Sequence, residues 1–230
     1  MGLYARYLLP RLTDCVCGSP SLARLRALVV SRASGTVLEV GFGSGRNLRW
    51  YDASRVHRVL ALEPDDGLRT IARERMRREQ AAASGFAVDL IDGIGEAIPL
   101  PDASVDSAVV TFTLCTVRDP SRTAAEMLRV LRPGGSVFFA EHGVAASPRA
   151  QRWQRCIEPV WTPLAGGCHL TRHPPRILQS AGFTVDWQQG LVGPATPTWR
   201  AIDSLLHGYW GSALRPMESP QPGQEERRHA

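Results

Sequence analysis

Two carboxylates and three glycines are the first residues of this sequence whose types and spacing indicate chemistry. The stretch VLEVGFGSGRN holds Glu39 and, after it, three glycines at alternate positions, Gly41, Gly43 and Gly45. Glycines permit a tight turn and let the backbone approach a ligand closely. Glu63 ends the next apolar run, where a carboxylate is placed to accept hydrogen bonds from both hydroxyls of a ribose. The pattern predicts a nucleotide site at the carboxyl ends of two neighbouring strands.

The spacing of the glycines distinguishes between classes of nucleotide. Dinucleotide sites use G-x-G-x-x-G with a pyrophosphate at the N-terminus of the next helix, whereas this loop reads G-F-G-S-G. A carboxylate at Glu39 repels a pyrophosphate but suits a cation. We therefore expect a ligand with a ribose and a positive charge and without phosphate. The alternative enzyme class is a nicotinamide-dependent oxidoreductase using NAD, and the glycine spacing argues against it.

The cations of this sequence are all arginines, because the chain has 27 Lys and Arg residues and no lysine. A chain without lysine has no Schiff-base residue and no Walker lysine, which excludes pyridoxal enzymes and standard P-loop NTPases. The formal charge of +5 does not indicate a nucleic-acid partner, since the arginines are scattered apart from a group at 69–78. We expect no nucleic acid among the partners.

The cysteines and the hydropathy pattern indicate a soluble cytoplasmic protein. No secretory signal precedes the five cysteines, so we expect reduced thiols. Cys15 and Cys17 lie one residue apart, which is not a typical zinc spacing, and we predict no metal site. No apolar run reaches the length that spans a bilayer. The N-terminal stretch YARYLLPRLTDCVCG is a candidate for peripheral contact with a membrane.

Short apolar runs alternate with amphipathic stretches from residue 36, which is typical of an α/β fold with parallel strands joined by helical crossovers. Strands are predicted at 36–40, 58–63, 86–91, 107–112 and 136–141. A helix is expected to start at Asn47, and apolar residues at helical spacing predict two more helices around 68–76 and 124–131. The segment RPGG is expected to end the last of these.

A single domain is predicted, with three parts along the chain. They are an N-terminal helical segment at 1–34, a main domain at 35–215 and a disordered tail at 216–230. An insertion at 144–172, irregular from Pro148 to Arg172, is placed where loops over an active site lie. After it, RILQSAGFTVDWQQG predicts a helix, a turn and a strand.

The arrangement E-x-G-x-G-x-G resembles motif I of the class I S-adenosylmethionine-dependent methyltransferases. Further matches follow in that family's order: Glu63 at the end of the second strand, DGIGEAIPLPDASVD at 92–106, AVVTFTLCTVRDP, and EMLRVLRPGGSVFFAEHG. The resemblance implies a Rossmann-like, mostly parallel seven-stranded sheet flanked by helices. It also implies S-adenosylmethionine as the cofactor and S-adenosylhomocysteine as its product. That cofactor carries a sulfonium and an ammonium group and no phosphate.

The resemblance also implies which residues contact the cofactor. Ile94 stands where many relatives place an aspartate that binds the adenine amino group, so we expect this contact from backbone at Gly95 and Glu96. Thr111 is expected to present its backbone to the methionine part. The predicted cofactor residues are Glu39, Gly41, Gly43, Gly45, Asn47, Glu63, Pro64, Gly95, Glu96 and Thr111.

Within the superfamily, TLC at 113–115, EHG at 141–143, RWQRCIEPVW and GGCHLTR look like the branch that includes the mammalian methyltransferase-like alkyl thiol methyltransferases. The expected partner is a small, fairly apolar acceptor, with a hydrophobic thiol first. A quinone, phenol or phospholipid amine is the second expectation. A non-catalytic cofactor-binding module is a third interpretation, for which Ile94 is the only indication.

Two histidines are candidate catalytic residues. His142 follows the fifth strand and is a candidate base, although a structural hydrogen bond to the insertion explains it equally well. His169 lies in the insertion, where it contacts the acceptor or pins the loop. Since a thiol has a pKa of about 8.5, a nearby histidine can increase its thiolate fraction. Cys115 is predicted to be a small lining residue, and Cys156 and Cys168 to be packing residues.

Overall fold

The structure is a computed structural model, and it describes residues 20–80, 85–191 and 207–217. The candidate membrane stretch lies outside the described residues, with Cys15 and Cys17, and so does the predicted tail from residue 218. Among the helices of the described part, none has both the length and the apolar character needed to cross a bilayer.

Seven strands in the described residues form one sheet in the order β3-β2-β1-β4-β5-β7-β6. Their bounds are β1 Gly35–Val40, β2 Val56–Leu62, β3 Ala87–Ile91, β4 Val105–Thr111, β5 Leu131–His142, β6 Thr184–Leu191 and β7 His207–Leu214. Among them β7 alone runs antiparallel to its neighbours, which are β5 and β6. The predicted α/β, Rossmann-like, mostly parallel seven-stranded sheet is confirmed, and so are the five predicted strands, within a few residues at their ends.

Five α-helices are described: α1 Pro20–Val30, α2 Asp66–Gln80, α3 Pro120–Val130, α4 Pro148–Leu164 and α5 Pro174–Ser180. Alternate residues of β1 point to opposite faces of the sheet, so Val37 packs in the cluster with α1 and α2 while Leu38 packs in the cluster with α3 and α5. Both are fully buried. Helix α1, which belongs to the predicted N-terminal segment 1–34, thus forms part of the main core.

The helix predicted to start at Asn47 is reduced to one 3-10 turn, Leu48–Trp50. The side chain of Asn47 is turned inward and donates hydrogen bonds to Glu39 and Thr111, and the chain is extended again at Tyr51. The third predicted helix ends at Val130, one residue before the predicted position, but RPGG lies within β5 and does not form the helix end.

The prediction of an irregular insertion after Pro148 is wrong for residues 148–164, which form the 17-residue helix α4. Ser147 caps this helix by accepting a hydrogen bond from Ala150 N, and Pro148 occupies the first turn, where a missing N–H costs nothing. Prolines at 159 and 163 conceal the helix in the sequence, because proline normally breaks a helix interior. The helix, turn and strand predicted after residue 172 are confirmed as α5 and β6.

Candidate functional site

A cavity of about 600 Å³ lies at the carboxyl ends of β1, β2 and β4. Such ends are where ligands bind in open α/β sheets. Most of the predicted cofactor residues line it: Gly41, Gly43, Glu63, Pro64, Gly95, Glu96 and Thr111. The other predicted residues are not part of its wall, namely Glu39, Gly45, Asn47, His142 and His169.

The glycine loop, residues 41–45, packs closely against a neighbouring side chain at Gly41 and faces open space at Gly43. Gly41 has φ +72°, and a Cβ there would lie 2.2 Å from Thr113 Oγ1. Gly43 has φ +59°, and a Cβ there would meet nothing nearer than a backbone oxygen at 3.9 Å. The conformation therefore requires glycine at both positions, and Gly43 leaves open space beside the cavity.

Glu63 connects the loop to the end of β2. Its Oε2 accepts a hydrogen bond from Gly43 N at 2.8 Å, and its Oε1 accepts one from Asp65 N at 2.9 Å. The side chain is buried, and burial raises the pKa of this carboxyl while the two N–H groups lower it. Each carboxylate oxygen has room for a second hydrogen bond. Glu63 is thus a fixed acceptor pair on the cavity wall.

Glu39 lies behind the loop in a buried polar cluster. Its carboxylate accepts hydrogen bonds from Asn47 Nδ2 at 2.9 Å and from Tyr51 OH at 2.6 Å. Burial raises the pKa of Glu39 to about 7, against the lowering effects of Tyr51, of the charge of Arg26 and of Asn47, and nearby Glu63 adds to the rise. The expectation that Glu39 meets the ligand cation directly is not supported by this placement. Its position instead holds the base of the loop.

Arg26 of α1 is the cation that Glu39 faces. Its Nη1 donates to Asn47 Oδ1 at 2.9 Å and to Thr111 Oγ1 at 2.6 Å, and its guanidinium lies 5.0 Å from the Phe112 ring centroid. Arg26 also lines the cavity. The sequence did not point to it, because α1 lies outside the motifs that carry the resemblance.

Residues 94–96 line the part of the cavity where the adenine contact is predicted. Ile94 lines the wall with 48% of its surface exposed, and Ala97 N donates to Ile94 O. The carboxylate of Glu96 turns away to accept a hydrogen bond from Asp119 N at 3.1 Å. A Cβ at Gly95 would lie 2.8 Å from the Thr123 side chain. This geometry leaves backbone groups and an apolar side chain in this part of the cavity.

Phe112, Ala165 and Gly166 also line the cavity. Phe112 has φ +55°, a left-handed conformation that is strained for a bulky residue and that occurs most often at functional sites. Its ring contacts the His142 ring at a centroid distance of 5.0 Å. A backbone conformation of this kind has no signature in the sequence, which is why Phe112 was not predicted.

His169 pins the end of α4 instead of facing the cavity. Its Nδ1 lies 2.9 Å from Glu158 Oε1, and its backbone N donates to Cys115 O at 2.8 Å. The same glutamate accepts a hydrogen bond from Thr171 N at 3.0 Å. Of the two roles that the sequence left open for His169, this geometry favours the structural one.

Glu141 fixes the loop after β4. Its carboxylate accepts hydrogen bonds from the backbone N atoms of Thr113, Leu114 and Cys115, at 2.8, 3.0 and 3.2 Å. Burial raises the pKa of Glu141 to about 7, against the lowering effect of these donors. On the other side of the loop, Arg172 donates to Leu114 O and Val117 O, both at 2.7 Å. The loop carrying Cys115 is therefore held from both sides.

Cys115 and Cys168 are buried next to each other. Apolar residues of the same small cluster surround them, among them Leu170 and Ile157. The neighbouring Cys168, together with burial, raises the pKa of Cys115, and the neighbouring Cys115 and His142 lower the pKa of Cys168. Cys168 is buried, in agreement with its prediction as a packing residue. Cys115 was predicted to line the site but is not part of the cavity wall, and the proximity of both cysteines to His142 was not anticipated. Cys156 lies exposed on α4.

The wall residues fit a nucleoside. The open space at Gly43 admits close backbone approach, Glu63 offers acceptors for ribose hydroxyls, and the 94–97 turn offers backbone groups to a base. This fit rests on the open space beside Gly43, the acceptor oxygens of Glu63 and the backbone groups of the 94–97 turn.

Comparison with known proteins gives a family. A model described as Methyltransferase domain matches residues 38–139. The chain is 32% identical to the thiol S-methyltransferase TMT1A of Homo sapiens over 180 residues, covering 76% of this chain and 69% of that protein. It is 32% identical to the thiol S-methyltransferase TMT1B of Rattus norvegicus over 158 residues, covering 66% of this chain and 63% of that protein. The chain spans about two thirds of the length of these relatives.

A solved structure with the same fold is a Haemonchus contortus phosphoethanolamine N-methyltransferase 2 in complex with S-adenosyl-L-methionine. Its TM-score is 0.63 at 14% identity, over 90% of this chain and 57% of that one. Identity at this level shows the fold alone.

Proposed function

This chain belongs to the S-adenosylmethionine-dependent methyltransferases, in the branch of the thiol S-methyltransferases, and from that premise we propose that it methylates a small, fairly apolar thiol. The observation that carries the proposal is the glycine loop bonded to Glu63 at the wall of a cavity that Phe112 also lines. The acceptor oxygens of Glu63 suit the cofactor, and the ring of Phe112 suits an apolar acceptor.

The cofactor residues have separate tasks in this proposal. Glu63 binds the ribose hydroxyls, backbone at Gly95 and Glu96 meets the adenine, and Gly41, Gly43 and Thr111 lie along the methionine part. Glu39 and Asn47 act as positioning residues, because they hold the loop from behind. Gly45 belongs to the same turn, where its N–H donates to Phe42 O.

Bound S-adenosylmethionine supplies a methyl group that is already activated, so the protein has chiefly to align and desolvate the acceptor. The ring of Phe112 and the backbone at Ala165 and Gly166 exclude water from the reacting atoms. A thiol of ordinary pKa, about 8.5, is partly ionised at neutral pH and releases its proton to solvent. Transfer joins the methyl carbon to the thiolate sulfur and leaves S-adenosylhomocysteine.

The two histidines predicted to be catalytic are positioning residues in this proposal. His142 supports the ring of Phe112, and His169 anchors the end of α4 through Glu158. Replacing His169 with Gln should therefore raise KM for the acceptor more than it lowers kcat. It should leave unchanged the pH at which activity is half-maximal, whereas a catalytic base would shift that pH.

A competition among acceptors tests the thiol assignment. The purified protein receives S-adenosylmethionine with equal concentrations of a medium-chain alkyl thiol, a phenol, a quinol and phosphatidylethanolamine, and mass spectrometry quantifies each methylated product. We expect the thioether to exceed every other product at least tenfold. Methylated phenol, quinol or amine with the thiol unmodified would overturn the acceptor assignment, and no product with any acceptor in spite of cofactor binding would favour a non-catalytic module.

A further inference from the structure

Three metal-ligating side chains meet beside the cavity wall. The Sγ atoms of Cys115 and Cys168 and a ring nitrogen of His142 all lie within 4.8 Å of one another. The separation between Cys168 Sγ and His142 Nδ1 is 4.0 Å. Both cysteines are buried, and His142 is partly buried. The sequence showed no sign of this cluster, because Cys115 follows β4, His142 ends β5 and Cys168 follows α4, far apart along the chain.

The backbone around the three residues is fixed independently of any ligand. Glu141 accepts three backbone N–H groups of the loop that carries Cys115. The N–H of His169 donates to Cys115 O, which joins the segment of Cys168 to the same loop. His142 is held against the ring of Phe112. Outer contacts of this kind orient the ligands of metal sites.

The donor set determines which ion fits. Two thiolates and an imidazole suit a borderline-soft ion such as Zn²⁺, with Zn–S distances near 2.3 Å and Zn–N distances near 2.0 Å. A tetrahedral site of these bond lengths has ligand atoms about 3.4–3.8 Å apart. Side-chain shifts of about 1 Å or less bring the three atoms to that spacing.

The indole of Trp161 is a further observation at this place. Its N–H is buried and has no hydrogen-bond partner among the described residues, and the side chain packs against the cluster that holds Cys115 and Cys168. A buried N–H needs an acceptor, and a thiolate sulfur is one. Thiolate is also the form in which cysteine binds a metal.

We propose that Cys115, His142 and Cys168 bind one Zn²⁺ through Sγ, Nδ1 and Sγ, which fastens the end of α4 to the carboxyl ends of β4 and β5. The fourth coordination position takes a water molecule. Binding displaces the thiol protons to solvent and requires no oxidant or reductant. The site stabilises the wall formed by Phe112, Ala165 and Gly166. It does not depend on the identity of the methyl acceptor.

Metal analysis of the purified full chain tests the proposal. The protein is stripped with a chelator under reducing conditions, titrated with Zn²⁺ against a chromophoric competitor, and separately titrated with Co²⁺ as a spectroscopic probe. We expect one equivalent of Zn²⁺ and, with Co²⁺, thiolate charge-transfer absorption together with the intense visible bands of a tetrahedral ion. Absence of both signals in folded protein would overturn the proposal.

Matched cysteine variants locate the ion. Cys168→Ser and Cys115→Ser should each weaken Zn²⁺ binding by more than the roughly 10- to 100-fold that is typical when a residue supporting a metal ligand is mutated. Cys156→Ser on the exposed face of α4, and the pair Cys15→Ser with Cys17→Ser, should leave it unchanged. Loss of the ion only with the latter pair would place it at the N-terminal cysteines and refute the assignment.

Two controls separate this test from that of the proposed function. Binding of S-adenosylhomocysteine by Cys168→Ser shows that the variant is folded, whether or not methyl transfer occurs. Mass analysis of the wild-type protein kept under air tests whether Cys115 and Cys168 form a disulfide. A disulfide that persists in fully reduced buffer and blocks Zn²⁺ would mean that the two thiols form a structural bond, contrary to the proposal.

Discussion

Replacing Glu63 with Ala should weaken binding of S-adenosylhomocysteine by roughly 30- to 1,000-fold. Its two oxygens are fixed by Gly43 N and Asp65 N and each retains room to accept a ribose hydroxyl. Hydrogen bonds to a charged group contribute about 1.5–3 kcal/mol each, and the substitution removes two of them. Because water in the space left by Ala can bind the ribose hydroxyls in part, the net loss of binding free energy is about 2–4 kcal/mol. Isothermal titration calorimetry with S-adenosylhomocysteine measures the change.

Two further variants make this measurement decisive. Glu63→Gln keeps the size of the side chain but presents an amide N–H₂ to one of the backbone donors, so its loss of affinity should be intermediate. Glu74→Ala removes an exposed carboxylate of α2 that pairs with Arg78, and it should leave the affinity unchanged. If Glu63→Ala keeps its fold by circular dichroism and binds within threefold of the wild type, the assignment of Glu63 to the ribose is refuted.

Four other substitutions probe the cavity and its support. Ile94→Asp should tighten S-adenosylhomocysteine binding by roughly 2- to 10-fold in calorimetry, because its carboxylate adds a hydrogen bond to the adenine amino group; weaker binding would contradict the placement of adenine. Gly41→Ala should destabilise the protein by about 2–5 kcal/mol in urea unfolding, since its Cβ would lie 2.2 Å from Thr113 Oγ1. Gly43→Ala should lower the free energy of unfolding by only about 1–2 kcal/mol and mainly weaken cofactor binding. Equal destabilisation by the two glycine substitutions would refute the conclusion that the space beside Gly43 is open. Burial raises the pKa of Glu39 from 4.5 to about 7, so the folded state keeps a proton that the unfolded state releases. The free energy of unfolding of the ligand-free protein should therefore fall by on the order of 3 kcal/mol from this group as pH rises from 4.5 to 7. Glu39→Gln should reduce that fall, and an unchanged pH dependence would show that Glu39 is ionised throughout.

The sequence predicted most of the residues of the glycine loop and of the end of β2 that line the cavity, because backbone requirements there leave a signature. Gly41 must adopt positive φ against Thr113, and Glu63 must end β2 where the loop N–H groups meet it. The strands were found for a similar reason, since the central ones are buried on both faces and read as continuous apolar runs.

The surroundings of Phe112 and His142 were not predicted, because they depend on contacts between distant segments. Arg26 reaches Thr111 from a helix that carries no motif. The strained backbone of Phe112 and the contact of His142 with Cys168 appear only once β4 and β5 are paired. Helix α4 was concealed by its internal prolines, although Ser147 followed by Pro148 was a capping signal that the sequence did offer.

The most direct test of the account follows a labelled methyl group. The purified protein is incubated with methyl-labelled S-adenosylmethionine and a lysate of the cells from which it comes, and the label is traced into organic-soluble, aqueous and precipitated fractions. The account predicts label in an organic-soluble thioether, which mass spectrometry identifies by its methylated sulfur, and no label with the Glu63→Ala variant. Label in precipitated protein or nucleic acid would contradict it, because the cavity that Phe112 lines would then be a docking surface for a macromolecule.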